Sequence, residues 1–264
     1  MKQYKNVLIL TDMEGVSGIT DARQVLDFTG RTYVRSLLRL MADTNAAVAG
    51  CFDAGAERVF VWDGHMGGQN FIREMLDERA EEVTLADIMP QIPVIDAAML
   101  VGTHAMAGTM NAFMDHTELF DGIHRCEYNG EAVGEIMMFA AFAGHYGIPL
   151  VMASGDEAAC AEARRFCPGV RTASVKRATE RMHTCSVLSD EEAFGLIRRM
   201  AAEGLRAAGE IQPVKMQLPF TITVEFNTTD RCEEACREPG VERLDGYRAR
   251  SVTDEVNGYL DFWL

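Results

Sequence analysis

Three short runs of uninterrupted apolar residues each end at acidic or imidazole side chains. Val7-Leu8-Ile9-Leu10-Thr11 leads into Asp12 and Glu14. Val59-Phe60-Val61-Trp62 leads into Asp63 and His65, and Ala97-Ala98-Met99-Leu100-Val101 into Gly102-Thr103-His104. A continuous apolar run of this length reads as a strand covered on both faces. Such strands occur in parallel sheets, and in open α/β sheets ligands bind beyond the carboxyl ends of the strands. The polar groups that recur here would therefore meet at one edge.

The remaining pattern agrees. A helix is expected over about 31–54, closed by Gly55. Residues 71–80 read as helical. Segments 122–127 and 131–133 flank Asn129-Gly130, a hairpin signal. A mostly apolar helix is expected over 134–146, a strand over 149–153, a helix over 157–166 and a strand over 170–175. Ser189, with Glu192 three residues on, is a capping box for a helix reaching about Ala207. After Pro213 the pattern shortens to a strand at 220–226, a short helix at 230–237, a strand at 247–252 and a last helix from about Thr253. The expected fold is α/β, a mostly parallel sheet with helices on both faces plus a smaller C-terminal α+β subdomain. The expected division is a catalytic domain over 1–212 and a subdomain over 213–264.

Composition narrows the partners. The chain has 264 residues, 48% of them hydrophobic and 25% charged, enough for a large core and against disorder. A net charge of −15 repels phosphate backbones, so nucleic acid is not an expected partner. No apolar run is long enough to span a membrane, and the run at 7–10 is too short for a signal peptide. A cytoplasmic location is expected. The seven cysteines (Cys51, Cys126, Cys160, Cys167, Cys185, Cys232, Cys236) are odd in number, irregular in spacing and without a CxxC, which fits free thiols.

Asp12 and Glu14, two apart in extended backbone, share a face. Two carboxylates that close repel unless a cation lies between them. With His65, His104 and Glu135, which opens the helix after the hairpin, they make three carboxylates and two imidazoles. That set suits two zinc ions bridged by one carboxylate, with positions left for water. It is too rich in nitrogen for a preferred magnesium or calcium site. Taken singly, each residue has an ordinary reading. Asp12 would be a turn residue, Glu14 a solvated loop charge, His65 an exposed turn histidine and Glu135 a complement to a helix N-terminus. Only the joint pattern points to metal. His116, in the polar stretch Met114-Asp115-His116-Thr117-Glu118, offers a catalytic base or acid. His124, His145 and His183 read as surface or packing residues.

Thr11-Asp12-Met13-Glu14-Gly15-Val16-Ser17-Gly18 resembles the D-M-E-G-[IV]-S-G signature of the zinc-dependent D-aminopeptidase (DppA-like) family. The resemblance continues in order through Asp63-Gly64-His65, Gly102-Thr103-His104-Ala105, Asp115-His116, Asn129-Gly130-Glu131-Ala132-Val133-Gly134-Glu135 and Met152-Ala153-Ser154-Gly155-Asp156. It departs at Trp62-Asp63-Gly64, where relatives often carry Asn-Asp-Ser, and in the spacer between His104 and His116. The resemblance implies a dizinc aminopeptidase acting on short peptides with an N-terminal D-residue, D-alanyl peptides above all. It also implies a ring-like homo-oligomer. Carried over, the ligands are Asp12, Glu14, His65, His104 and Glu135, with Asp12 the bridge and His116 the catalytic histidine. Asp63 would orient His65 from behind. A competing reading is a magnesium-dependent phosphatase of the haloacid-dehalogenase type. It would use Asp12 in the stretch Asp12-x-Glu14-x-Val16, with Asp156 and Lys176 as later motifs. It needs an Asp where Glu14 stands and leaves His65, His104 and Glu135 without a role.

Overall fold

Val7 and Ile9 are buried in one hydrophobic core and Leu8 and Leu10 in another, so the first strand is covered on both faces as its sequence requires. The computed structural model describes residues 4–264, apart from the side chains of Thr184 and Cys185. The chain runs β1 (Asn6–Thr11), α1 (Arg23–Leu26), α2 (Arg31–Asp53), β2 (Arg58–Asp63), β3 (Ala80–Val83), α3 (Leu85–Ile88), β4 (Ala97–Thr103), β5 (Ile123–Tyr128) and β6 (Glu131–Val133). It continues with α4 (Glu135–His145), β7 (Leu150–Asp156), α5 (Glu157–Phe166), β8 (Arg171–Glu180), β9 (His183–Val187) and α6 (Asp190–Arg206). It closes with β10 (Phe220–Phe226), α7 (Thr229–Ala235), β11 (Glu242–Arg243) and β12 (Arg248–Thr253).

A seven-stranded sheet has the order β3-β2-β1-β4-β7-β8-β9. Its pairs are parallel except β8 with β9. Helices α2 and α6 cover one face, where Ala46, Ala47, Val48, Ala193, Ile197 and Ala201 meet the strands. The other face packs on α4 and α5. All of residues 136–144 of α4 are buried, because this helix lies between the large sheet and a second, five-stranded sheet. That explains why its sequence is apolar on nearly every side.

The second sheet has the order β11-β12-β10-β5-β6 and is antiparallel. Two of its strands precede residue 212 and three follow it. Residue 212 is therefore not a sheet boundary, because the tail completes a sheet that the 123–133 hairpin begins. Two other expectations change. Over 71–80 there is only a short turn at Arg73–Met75, then β3. The Asn45 side chain of α2 donates to the Met75 carbonyl (2.7 Å) and accepts from the Asp77 N–H (2.9 Å), holding this stretch extended. The helix expected from Thr253 is a strand end followed by a single turn, Tyr259–Phe262. Tyr259 and Phe262 stack edge-on against Phe142 of α4, so aromatic burial outweighs helical periodicity there. The antiparallel β9 was not anticipated.

Just past the carboxyl end of β1, the chain touches the end of β4 backbone to backbone. The Gly15 N–H donates to the Gly102 carbonyl at 2.6 Å. A Cβ on Gly15 would stand 2.0 Å from the Thr103 oxygen, and one on Gly102 would stand 2.2 Å from the Asp12 oxygen. Gly102 also has a φ of 75°, which side chains disfavour. Replacing Gly102 by Ala should cost about 2–4 kcal/mol of stability, from strain and clash together. Urea unfolding checks this, and a loss under about 0.5 kcal/mol would mean that the contact is looser than described.

Candidate metal centre

The strand order reverses between β1 and β4. From β1 the chain builds outward through β2 and β3, and from β4 it builds the other way through β7 and β8. Crevices at such reversals are where open α/β sheets bind ligands. Asp12 and Glu14 follow β1, His65 follows β2, and His104 follows β4. Glu135 is the first residue of α4, presented there by the β5–β6 hairpin of the second sheet.

The structure brings all five together. His65 Nδ1 lies 3.0 Å from Asp12 Oδ1 and 3.2 Å from Glu14 Oε2. His104 Nε2 lies 3.4 Å from Asp12 Oδ2 and 3.3 Å from Glu135 Oε1. Asp12 thus turns one oxygen to each histidine. Two compact groups result, Asp12 with Glu14 and His65, and His104 with Glu135 and His116. His116 was expected beside the ligands as a catalytic group. Its Nε2 is 4.0 Å from Glu135 Oε1, and its ring stacks on His104 with centroids 3.8 Å apart.

Several of these buried atoms have no hydrogen-bond partner: Asp12 Oδ2, Glu14 Oε2, His65 Nε2 and His104 Nε2. Buried polar atoms are rarely left so. Burial lifts the Asp12 carboxyl to about 7, and Glu14 pushes the same way. Burial opposes charge on His65, but Glu14 and Asp12 outweigh it and raise the imidazole to about 11. The same contest, with Glu135 prevailing, raises His104. The cluster holds more negative charge than its surroundings tolerate and draws protons onto imidazoles to offset it. A cation would relieve this. Neighbouring ligand atoms of a tetrahedral zinc lie about 3.4 Å apart, given bonds of roughly 2.0–2.2 Å, and the contacts above have that spacing. Donor chemistry and spacing both fit zinc.

The tautomers fit as well. His104 Nδ1 donates to the Ala105 carbonyl at 3.0 Å, so the nitrogen turned toward Asp12 and Glu135, the one a cation would take in place of a proton, is Nε2. His116 Nδ1 donates to the Met114 carbonyl at 2.7 Å, so its free lone pair is also on Nε2. Burial, then His104, lowers the His116 pKa. Asp63 does not meet the His65 ring as expected. Its carboxylate accepts from the Asn70 N–H (2.6 Å) and side-chain amide (3.2 Å), and that amide also donates to the His65 carbonyl (2.8 Å). Asp63 therefore fixes the loop backbone that carries His65.

Two side chains have places here that the sequence reading did not give them. Glu118 lies against the centre, and its N–H donates to Glu135 Oε1 at 2.7 Å. Burial, then Glu135, raises its carboxyl to about 10. The run of polar residues at 114–118 was visible, but not its left-handed bends at Met114 and Glu118. Lys176 of β8 is fully enclosed and donates to the carbonyls of Glu14, Val16 (3.0 Å) and Ile19 (2.9 Å).

These roles leave the phosphatase reading without its parts. Lys176 is used by the 14–19 loop, and Asp156 caps α5 and accepts from the Phe113 N–H (2.7 Å). The comparisons agree. The peptidase M55 family model, D-aminopeptidase, matches residues 5–263. The chain belongs to the D-aminopeptidase family. A D-aminopeptidase of Bacillus subtilis (strain 168) is 32% identical over 252 residues, 93% of this chain and 89% of that protein. A solved structure, the Zn-dependent D-aminopeptidase DppA from Bacillus subtilis, a self-compartmentalizing protease, superposes with a TM-score of 0.90 at 27% identity. That likeness covers 97% of this chain and 93% of the other.

Six of the described cysteines are free, and Cys185 lies outside the described side chains. Among the described residues no helix is long and apolar enough to cross a membrane. Replacing Lys176 by Met should strand three buried carbonyls at about 1–3 kcal/mol each and loosen the loop bearing Glu14. Thermal unfolding and zinc titration should show both losses, and an unchanged melting point would remove Lys176 from this role.

Proposed function

We propose that this chain is a dizinc aminopeptidase that removes the N-terminal residue from short peptides, with D-residues, D-alanine first, as its substrates. The observation that carries the metal reading is the Asp12 carboxylate, whose oxygens face His65 and His104 separately. In this reading Asp12, shared between the two groups, would hold zinc together with Glu14 and His65 on one side and with His104 and Glu135 on the other. Family membership and the Zn-dependent relative support the choice of metal and the preference for D-residues.

Zinc, when bound, makes hydroxide available from water near neutral pH and polarises the scissile carbonyl. The rest falls to the chain. His116 presents Nε2 to the centre as a proton acceptor, because Nδ1–H is committed to the Met114 carbonyl. It takes a proton from the attacking water and returns it to the nitrogen of the breaking C–N bond. Its stack on His104 fixes the ring plane. Asp63 and Asn70 hold the His65 loop so that the imidazole does not swing away.

The reading includes a cytoplasmic location, supported by the free thiols. It also includes a ring-like homo-oligomer, supported by the self-compartmentalizing relative.

Elemental analysis of protein purified without added metal should find two zinc ions per chain. His104→Ala should lose zinc and D-alanyl peptide hydrolysis together. His116→Ala should keep its zinc and fall about 10²–10⁴-fold in kcat. Zinc retained by the first variant, or full activity in the second, would sink the corresponding assignment.

A further inference from the structure

Two cavities, of about 880 and 800 Å³, open from the metal centre in different directions. Six residues line both: Asp12, Gly64, Gly67, Glu118, Glu135 and Trp263. Where the cavities meet, the acidic side chains divide sharply by occupation. Asp12 and Glu135 belong to the two candidate metal groups, and so does Glu14 in the second cavity. Asp63 is bound by Asn70. Glu74, Glu82, Glu234 and Glu238 are exposed toward the outer walls.

Glu118 alone stands at the junction and belongs to neither metal group. Its Oε1 is sealed from solvent and has no hydrogen-bond partner. Its backbone holds a φ of 59°, a left-handed conformation that costs a non-glycine residue energy and tends to persist where function requires it. The same bend puts its N–H on Glu135, so the carboxylate is anchored to the centre from behind. To carry its charge here the Glu118 carboxyl needs a cationic partner, and a cationic ligand group would supply one.

With the aminopeptidase reading above as premise, we infer that the Glu118 carboxylate receives the free α-ammonium of the substrate. The terminal torsion of a glutamate is soft, so either oxygen can turn into the cavity. An ammonium offers three donors to such an acceptor. With the amine fixed at the junction, the first side chain enters one cavity and the rest of the peptide the other. The scissile carbonyl then falls over the metal centre. Glu118 is a binding residue here and takes no proton from the reaction. It sets the cut one residue from a free amine and rejects acylated or internal peptides.

The test pairs Glu118→Gln, which keeps the shape but cannot ionise, with Glu118→Met. Both are prepared as zinc-loaded protein, with zinc content and far-UV circular dichroism recorded. The first probe is D-alaninol, an amine without a scissile bond, followed by calorimetry. A charge-assisted hydrogen bond is worth about tenfold to a hundredfold in affinity. Both variants should bind D-alaninol weaker by that factor with unchanged zinc. The second probe is the p-nitroanilide of D-alanine against that of propionic acid, which lacks the amine. The variants should raise KM for the first more than they lower kcat, and the preference for the amine should shrink by the same factor.

Parent-like D-alaninol affinity in Glu118→Gln overturns the inference, as does loss of zinc with loss of binding. A parent protein that binds D-alaninol through Glu118 but cleaves no peptide overturns the aminopeptidase reading and leaves the amine site standing. A parent that neither binds the amine nor cleaves any peptide overturns both.

Discussion

The contact between Gly15 and Gly102 is the constraint on which the centre depends. It closes the gap between the loops leaving β1 and β4, so that carboxylates from one strand and an imidazole from the other face each other. No side chain fits between those backbones. The reversal of strand order makes a crevice there, and the glycines make it narrow enough for one carboxylate to reach two histidines. Everything further out leans on that pairing, from the Lys176 ammonium under the 14–19 loop to Glu135 arriving from the second sheet.

The charge in this crevice sets its energetics. Three carboxylates within reach of one another would repel strongly in a medium that screens poorly. The protein offsets part of this with imidazolium and with N–H donors, such as Glu118 to Glu135. The rest remains as unpartnered atoms, an arrangement that favours cation capture over rest-state stability. The same loops therefore need unusually firm backing. The Asp63–Asn70 pair, the Asp43 carboxylate on Ser17 (2.7 Å to both its N–H and hydroxyl) and Glu162 on the Met106 N–H (2.8 Å) supply it.

Much of this was legible from the chain alone. The runs at 7–11, 59–62 and 97–101 announced buried parallel strands, because a strand between two helical layers has no polar face to show. Asp12, Glu14, His65 and His104 were legible for the same reason, since a charged residue directly after such a strand has few places to go. Glu135 was found through its hairpin and helix. Glu118 was not, because its position depends on left-handed backbone in an irregular loop, and no periodicity encodes that. The role of Asp63 was misjudged because a neighbour in sequence, His65, concealed a neighbour in space, Asn70. The turn at 259–262 was missed because Phe142, more than a hundred residues earlier, decides it. The change of pattern near 212 was visible, whereas the pairing of β10 with β5 across it was not, because pattern is blind to which strands pair.

The loop between β4 and β5 has a standing unlike the rest of the centre. The strand ends and the start of α4 carry Asp12, Glu14, His65, His104 and Glu135, all on regular elements or within a few residues of one. His116 and Glu118 ride instead on a long irregular span pinned at separate points, by Arg181 on Asp115, Asp156 on the Phe113 N–H and Thr117 on the Ala107 N–H. Each pin is local, so one stretch of the span can be rewritten while the others hold. Substitutions in one stretch of this span should therefore leave the mutual geometry of Asp12, Glu14, His65, His104 and Glu135 in place.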